Sequence, residues 1–104
     1  MARRNSGRYI LDERGDPVEC PDIIAWWQWL SMAHRHVAND VLENGVRVST
    51  VFLGLDHACD GGIPLLYETM IFGGPHDEYQ ERYATRTAAI DGHKRAVELA
   101  APSI

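Results

Sequence analysis

Residues 48–74, VSTVFLGLDHACDGGIPLLYETMIFGG, hold two apolar runs parted by a polar, glycine-rich loop. Branched and aromatic residues bounded by glycine pairs read as strands. The first strand is expected over Val46–Leu55 and the second over Leu65–Phe72, fenced by Gly61-Gly62 on one side and Gly73-Gly74-Pro75 on the other. Upstream, Asn44-Gly45 is the strongest short hairpin signal in the chain, because both residues tolerate the positive φ of a type I′ turn. It pairs a strand over Val37–Leu42 with Val46–Leu55, the competing reading being a helix continued to Leu42. Downstream, Tyr79 between charged Glu78 and polar Gln80 suggests a last strand over Glu78–Tyr83. The four strands form an antiparallel meander.

Thr85 is placed to cap a helix over residues 86–100, where Ala89, Gly92, Ala96 and Ala100 make a strip of small residues for close packing. His93 sits on that strip, placed for an interhelical or sheet hydrogen bond in preference to ligation, and Asp91 and Arg95, four apart, can pair on the outside. Before the meander, Asp22 caps another helix, in which Ile23, Trp27, Leu30 and His34 recur at helical spacing and are expected to face the core. Trp29 and Met32 lie on a different face and Trp26 on the stripe's edge. They are candidates for a protein interface, or for burial in a helix apolar nearly all round. Near the start, Arg8–Leu11 and Val18–Cys20 flank the turn formers Gly15-Asp16-Pro17 and read as a small hairpin, not as an adhesion motif around Arg14-Gly15-Asp16. The fold class is therefore α+β: a four-stranded antiparallel meander packed with two helices, plus an N-terminal hairpin.

The chain of 104 residues suits one domain, 1–104, able to bury roughly two thirds of its unfolded surface. The first seven residues are expected to be disordered. A hydrophobic content of 45% with 24% charged residues fits a globular protein, and no apolar run approaches a membrane span. The net charge of −5 disfavours nonspecific nucleic-acid binding and suits a basic protein partner; Arg3, Arg4 and Arg8 form too short a cluster for a nucleic-acid arm. Cys20 and Cys59, outside any CxxC pattern, fit reduced thiols in a cytoplasm, and whether they pair is left open.

Chemistry has one candidate locus, the loop DHACDGG. A meander carries Asp56, His57, Cys59 and Asp60 to the sheet end where the second helix starts at Thr85 and near His36. Imidazoles, carboxylates and free N–H groups would then meet at a rim able to bind an anion or a divalent metal. His76 falls at the opposite end of the strand and cannot join them. The bland reading is a solvated turn, since Asp and Gly are turn residues and no HExxH, P-loop or nucleophile elbow occurs. Glu68, inside an apolar strand, reads as a buried acid poised for chemistry or, since it alternates with Leu66 and Met70, as a merely solvated one if that face is open.

The blocks VSTVFLGLDH, PLLYETMIFGG and DEYQERYATRTAAIDGHKRAV, with YILD near the start and a Trp-rich segment before RHVA, resemble a family of small uncharacterised proteins of tailed bacteriophages and prophages. The resemblance covers most of the chain and implies a context, not an activity. It implies a protein acting in the cytoplasm of an infected bacterium, often by binding a host or viral protein and sometimes by blocking host defence. It implies no catalytic residue and no cofactor. Three functions follow: an accessory protein that binds a host or phage protein, or a second copy of itself; a small metal- or anion-dependent enzyme using residues 56–60; or a minor virion or assembly component.

Overall fold

A computed structural model of the chain describes residues 6–58 and 62–102. The elements run β1 Tyr9–Leu11, β2 Pro17–Glu19, α1 Ile23–Met32, β3 His36–Val41, β4 Arg47–Phe52, β5 Tyr67–Phe72, β6 Gln80–Tyr83 and α2 Arg86–Ala100. β1 and β2 form the antiparallel hairpin, and β3-β4-β5-β6 form the antiparallel meander in chain order. The expected α+β architecture is the observed one. Residues 37–44 do not continue α1, so the competing helical reading fails.

Asn44-Gly45 makes the β3–β4 turn, but not as type I′. Gly45 alone has a positive φ, +83°. Its N–H donates to Leu42 O while Leu42 N–H donates to Val46 O, so three residues, not two, connect the strands. Asn44 contributes through its side chain instead: Oδ1 accepts from Val46 N–H and Nδ2 donates to Ala100 O, which ties the turn to the end of α2. The β1–β2 turn repeats the pattern around Gly15, with Asp12 Oδ1 accepting from the Arg14 and Asp16 N–H groups.

Alternation along β4 and β5 sets the core. Val48 faces Ile71, Thr50 faces Thr69 and Phe52 faces Tyr67 across the strand pair, all six fully buried beneath α2. α2 supplies Ala89, Gly92, His93, Ala96 and Ala100 to the same layer. Gly92 is required there because a Cβ at this position would overlap the Tyr83 ring and hydroxyl. Thr85 caps α2 by accepting from Ala88 N–H. Arg95 reaches across to Glu81 on β6 (3.1 Å), not along the helix to Asp91.

The other face of the sheet is open. Glu68 lies there but is not merely solvated, since its Oε2 accepts from Arg82 Nε (2.9 Å) and Gln80 Nε2 (2.6 Å) on β6. Arg47 stacks over the Phe72 ring on this face, 4.7 Å from its centroid.

α1 departs from expectation in its rotation. Asp22 caps it as foreseen, accepting from the Ile24 and Ala25 N–H groups. The half-buried residues are Trp26, Trp29, Leu30 and Ala33, whereas Ile23, Trp27 and His34 are exposed. Trp26 Nε1 donates to Gly54 O at 2.8 Å and the Trp29 ring meets Phe52 edge-on at 5.8 Å. These two anchors turn the helix by about a quarter turn from the expected face, a residue step being about 100°. Ser6 N–H donates to Glu19 Oε2 and Asp56 N–H to Gly7 O, so these two residues of the expected disordered segment are tied to the fold, while residues 1–5 lie outside the described residues.

Candidate functional site

Of the 56–60 loop, the described residues Asp56 and His57 bind neighbouring backbone. Asp56 Oδ1 accepts from Ala58 N–H (2.8 Å) and Leu65 N–H (3.0 Å), so its carboxylate closes the loop across nine residues. His57 donates from Nδ1–H to Leu55 O (3.0 Å), and its own N–H donates to Leu65 O. Both side chains thereby do the pinning that a loop between two strands needs. Cys59 and Asp60 lie outside the described residues, as does any pairing of Cys59 with Cys20, whose Sγ lies 3.8 Å from Asp22 O.

The residues expected to join that loop are separated. His36 is exposed in register with Val51, a residue of the open face, whereas Thr85 caps α2 on the opposite face. A bulge between His36 and Ala38 accompanies this: Val37 packs against the Phe52 cluster. Among the described residues no group of three His, Cys, Asp or Glu side chains is arranged to hold a metal ion.

A second constellation was legible only in part. His93 Nδ1 lies 2.7 Å from Thr50 Oγ1, and its Nε2 lies 2.7 Å from Asp40 Oδ2. The carboxylate only accepts, so Nε2 carries a proton. In the neutral ring Nδ1 then accepts from the Thr50 hydroxyl, which in turn bonds to Thr69. An acid, an imidazole and a hydroxyl in line resemble a nucleophile with its base. Thr50 and Thr69 are nevertheless wholly buried between α2 and the sheet, and no substrate can reach them. The line works as a polar peg that fixes α2 on β3, β4 and β5, as the sheet hydrogen bond expected of His93 would. Sequence spacing could not reveal Asp40 as its partner, 53 residues away.

Beside β6 a further pair is tuned by its contact. The Tyr79 hydroxyl donates to Glu81 Oε2 at 2.8 Å, which with burial pushes the phenol up to about 12. The same hydrogen bond, and then Arg95, hold the Glu81 carboxyl below its ordinary value against the opposing effect of burial. These groups brace β6 against α2.

One surface among the described residues that no internal contact explains is the outer side of α1. Ile23 is 60% exposed, Ile24 67% and Trp27 63%. Ile23 and Trp27 are four apart and Ile24 and Trp27 three apart, so the three side chains adjoin on the helix surface. Met32, 89% exposed, lies further round the helix. Of the three proposed interface residues, Trp26 and Trp29 turn inward and Met32 outward. The available signal was compositional: IIAWWQWLSM contains no charged residue on any face. A face without charge has nothing to mark it as solvated.

No helix among the described residues is long and apolar enough to cross a membrane. Comparison of the chain with protein-family models, with curated proteins and with solved structures gave no match.

Proposed function

We propose that the chain is a phage-encoded accessory protein that acts in the cytoplasm of its bacterial host by binding a host or viral protein. The observation that carries this reading is the outer face of α1, where Ile23, Ile24 and Trp27 stand in solvent on a helix without a charge. Exposed apolar side chains that adjoin one another are costly in water, and aromatic anchors of this kind dominate the energetics of interfaces. An uncharged helix face laid into an apolar groove is a recurrent recognition mode. The net charge of −5 favours a partner whose groove is rimmed by basic residues, which would speed the encounter and make it salt-sensitive. Blocking a host defence protein is one form such binding would take.

The test begins with capture from infected cells and ends with purified components. The captured protein, expressed alone, should bind the parent chain with a blue shift of Trp27 fluorescence. Ile24→Asp and Trp27→Asp should each weaken binding at least tenfold while leaving the thermal midpoint in place. Equal binding by both variants overturns the assignment to α1. Association of the purified chain with itself, abolished by the same variants, would make the occupant a second copy.

A further inference from the structure

The turn of the N-terminal hairpin and the first turn of α2 border a partly open cavity of about 320 Å³ whose wall includes Arg14, Asp16, Tyr67, Thr85, Arg86 and Thr87. That volume is at the small end of the range for ligand sites. Its chemistry is that of donors. α2 is fifteen residues long, and its capping Thr85 takes up the Ala88 N–H, leaving the Arg86 and Thr87 N–H groups without a partner inside the helix, at its electropositive end. Arg14 and Arg86 add two guanidinium groups from different elements.

Tyr67 supplies an independent sign of a ligand. Its side chain is fully buried, it reaches the cavity wall, and its hydroxyl has no hydrogen-bond partner. Buried polar groups in folded proteins are nearly always paired, so an orphan on a residue of the cavity wall, within reach of the charges of Arg86 and Asp16, asks for an acceptor there. The charges of Arg86 and Asp16 both act on this hydroxyl, and burial raises its pKa, so it stays a donor. The Asp16 carboxylate offsets one of the two guanidinium charges, which makes the cavity more selective than a plain anion trap.

We infer that this cavity binds a small phosphate monoester, with the phosphate seated on the first turn of α2 between Arg14 and Arg86, hydrogen-bonded by Tyr67, and with a hydroxyl of the same molecule turned to Asp16. A tetrahedral group with three free oxygens can engage backbone N–H groups, a phenol and a guanidinium together, which the two oxygens of a planar carboxylate cannot. Asp16 then accepts from the ligand's hydroxyl instead of repelling the whole molecule. This site lies apart from the outer face of α1. Of the residues expected at an anion rim it shares only Thr85.

Titration of the full ¹⁵N-labelled chain with ribose 5-phosphate, inorganic phosphate, ribose and sodium chloride at matched ionic strength tests it. Ribose 5-phosphate should move the N–H signals of Gly15, Arg86 and Thr87 saturably and bind severalfold more tightly than inorganic phosphate, while ribose alone moves none of them. Tyr67→Phe, which removes only the orphan hydroxyl, should weaken binding about tenfold with no loss of thermal midpoint. The exposed Arg86→Gln should do the same. Equal shifts with chloride would mean an adventitious ion only and overturn the site, as would undiminished binding by both variants. Inorganic phosphate binding as tightly as ribose 5-phosphate overturns the monoester assignment.

Discussion

The two helices invert the usual relation between composition and burial. α1, IIAWWQWLSM, is the more apolar and buries none of its residues completely, whereas α2, RTAAIDGHKRAVELA, carries six charged or titratable side chains and buries five residues against the sheet. Size explains the difference. Ala89, Gly92 and Ala96 let the α2 backbone come close enough for sheet residues such as Tyr83 to close over it. Bulky tryptophans hold α1 off at the sheet's end, where Trp29 touches Phe52 edge-on and the rest of the helix looks outward. Burial follows from fit to a neighbour, and hydrophobicity left without a neighbour becomes a surface for another molecule.

Phe52 joins the two regions, with Trp29 on one side and Tyr67 5.4 Å away on the other. Phe52→Ala should therefore have the largest effect, a loss of about 3–5 kcal/mol as for other buried aromatic truncations, read from denaturant midpoints. A loss below about 1 kcal/mol would mean that α1 and the sheet are not coupled through this ring.

Gly92→Ala sharpens the argument about size. Alanine gains up to about 1 kcal/mol of helix propensity, but its methyl group would overlap the Tyr83 ring. The expected net result is a loss of about 1–2 kcal/mol, since overpacking costs about 1–3. Shortening the obstacle with Tyr83→Leu in the same chain should reduce the penalty of the alanine. A stabilised Gly92→Ala single variant would show that small size is not what seats α2.

The brace between β6 and α2 predicts a pH dependence. Glu81 has a folded pKa below its unfolded value, so its contribution is complete above the ordinary carboxylate range and is lost as pH falls through the lowered value. Tyr79 has the opposite sign: raised to about 12, it stabilises fully below its ordinary value of 10.0 and less as pH rises through about 12. Tyr79→Phe should lower the midpoint at pH 7 modestly and flatten its fall as pH drops through and below the ordinary carboxylate value. An unchanged acid limb would remove Tyr79 as the main cause of the Glu81 shift.

Trp27→Ala should be the mildest for stability, within about 0.5 kcal/mol, because the side chain is mostly in solvent. The same substitution should carry the largest loss of partner binding. A destabilisation of several kcal/mol would return Trp27 to the core and dissolve the contrast between the helices.

Local chemistry made much of this legible. Branched runs and glycine pairs placed β4 and β5, the Asn44-Gly45 signal placed β3, alternation around Tyr79 placed β6, Thr85 and Asp22 marked both helix starts, and the small-residue strip identified the face of α2 that packs. β4, β5 and β6 are shorter than expected, β4 ending at Phe52 and not Leu55, where Leu55 makes only an isolated bridge to Arg8 of the hairpin region. The candidate loop was legible as a loop, yet its use of Asp56 and His57 to bind its own backbone was not, since the same side chains serve a turn or a ligand equally well.

The sequence by itself determined the order of elements, the antiparallel meander and the α+β class, because strand alternation, turn residues and caps act over a few neighbouring positions. Tertiary structure alone decided the rotation of α1. A helix apolar nearly all round offers more than one stripe at helical spacing, and the choice of inner face fell to a carbonyl at Gly54 and a ring at Phe52, more than twenty residues downstream. It likewise decided that Asp40 and Thr50 would flank His93, and that an arginine-bearing turn would meet the start of α2 over Tyr67. Contacts between distant segments are specified by shape and by unpaired polar groups seeking partners, and these exist only once the layers have packed.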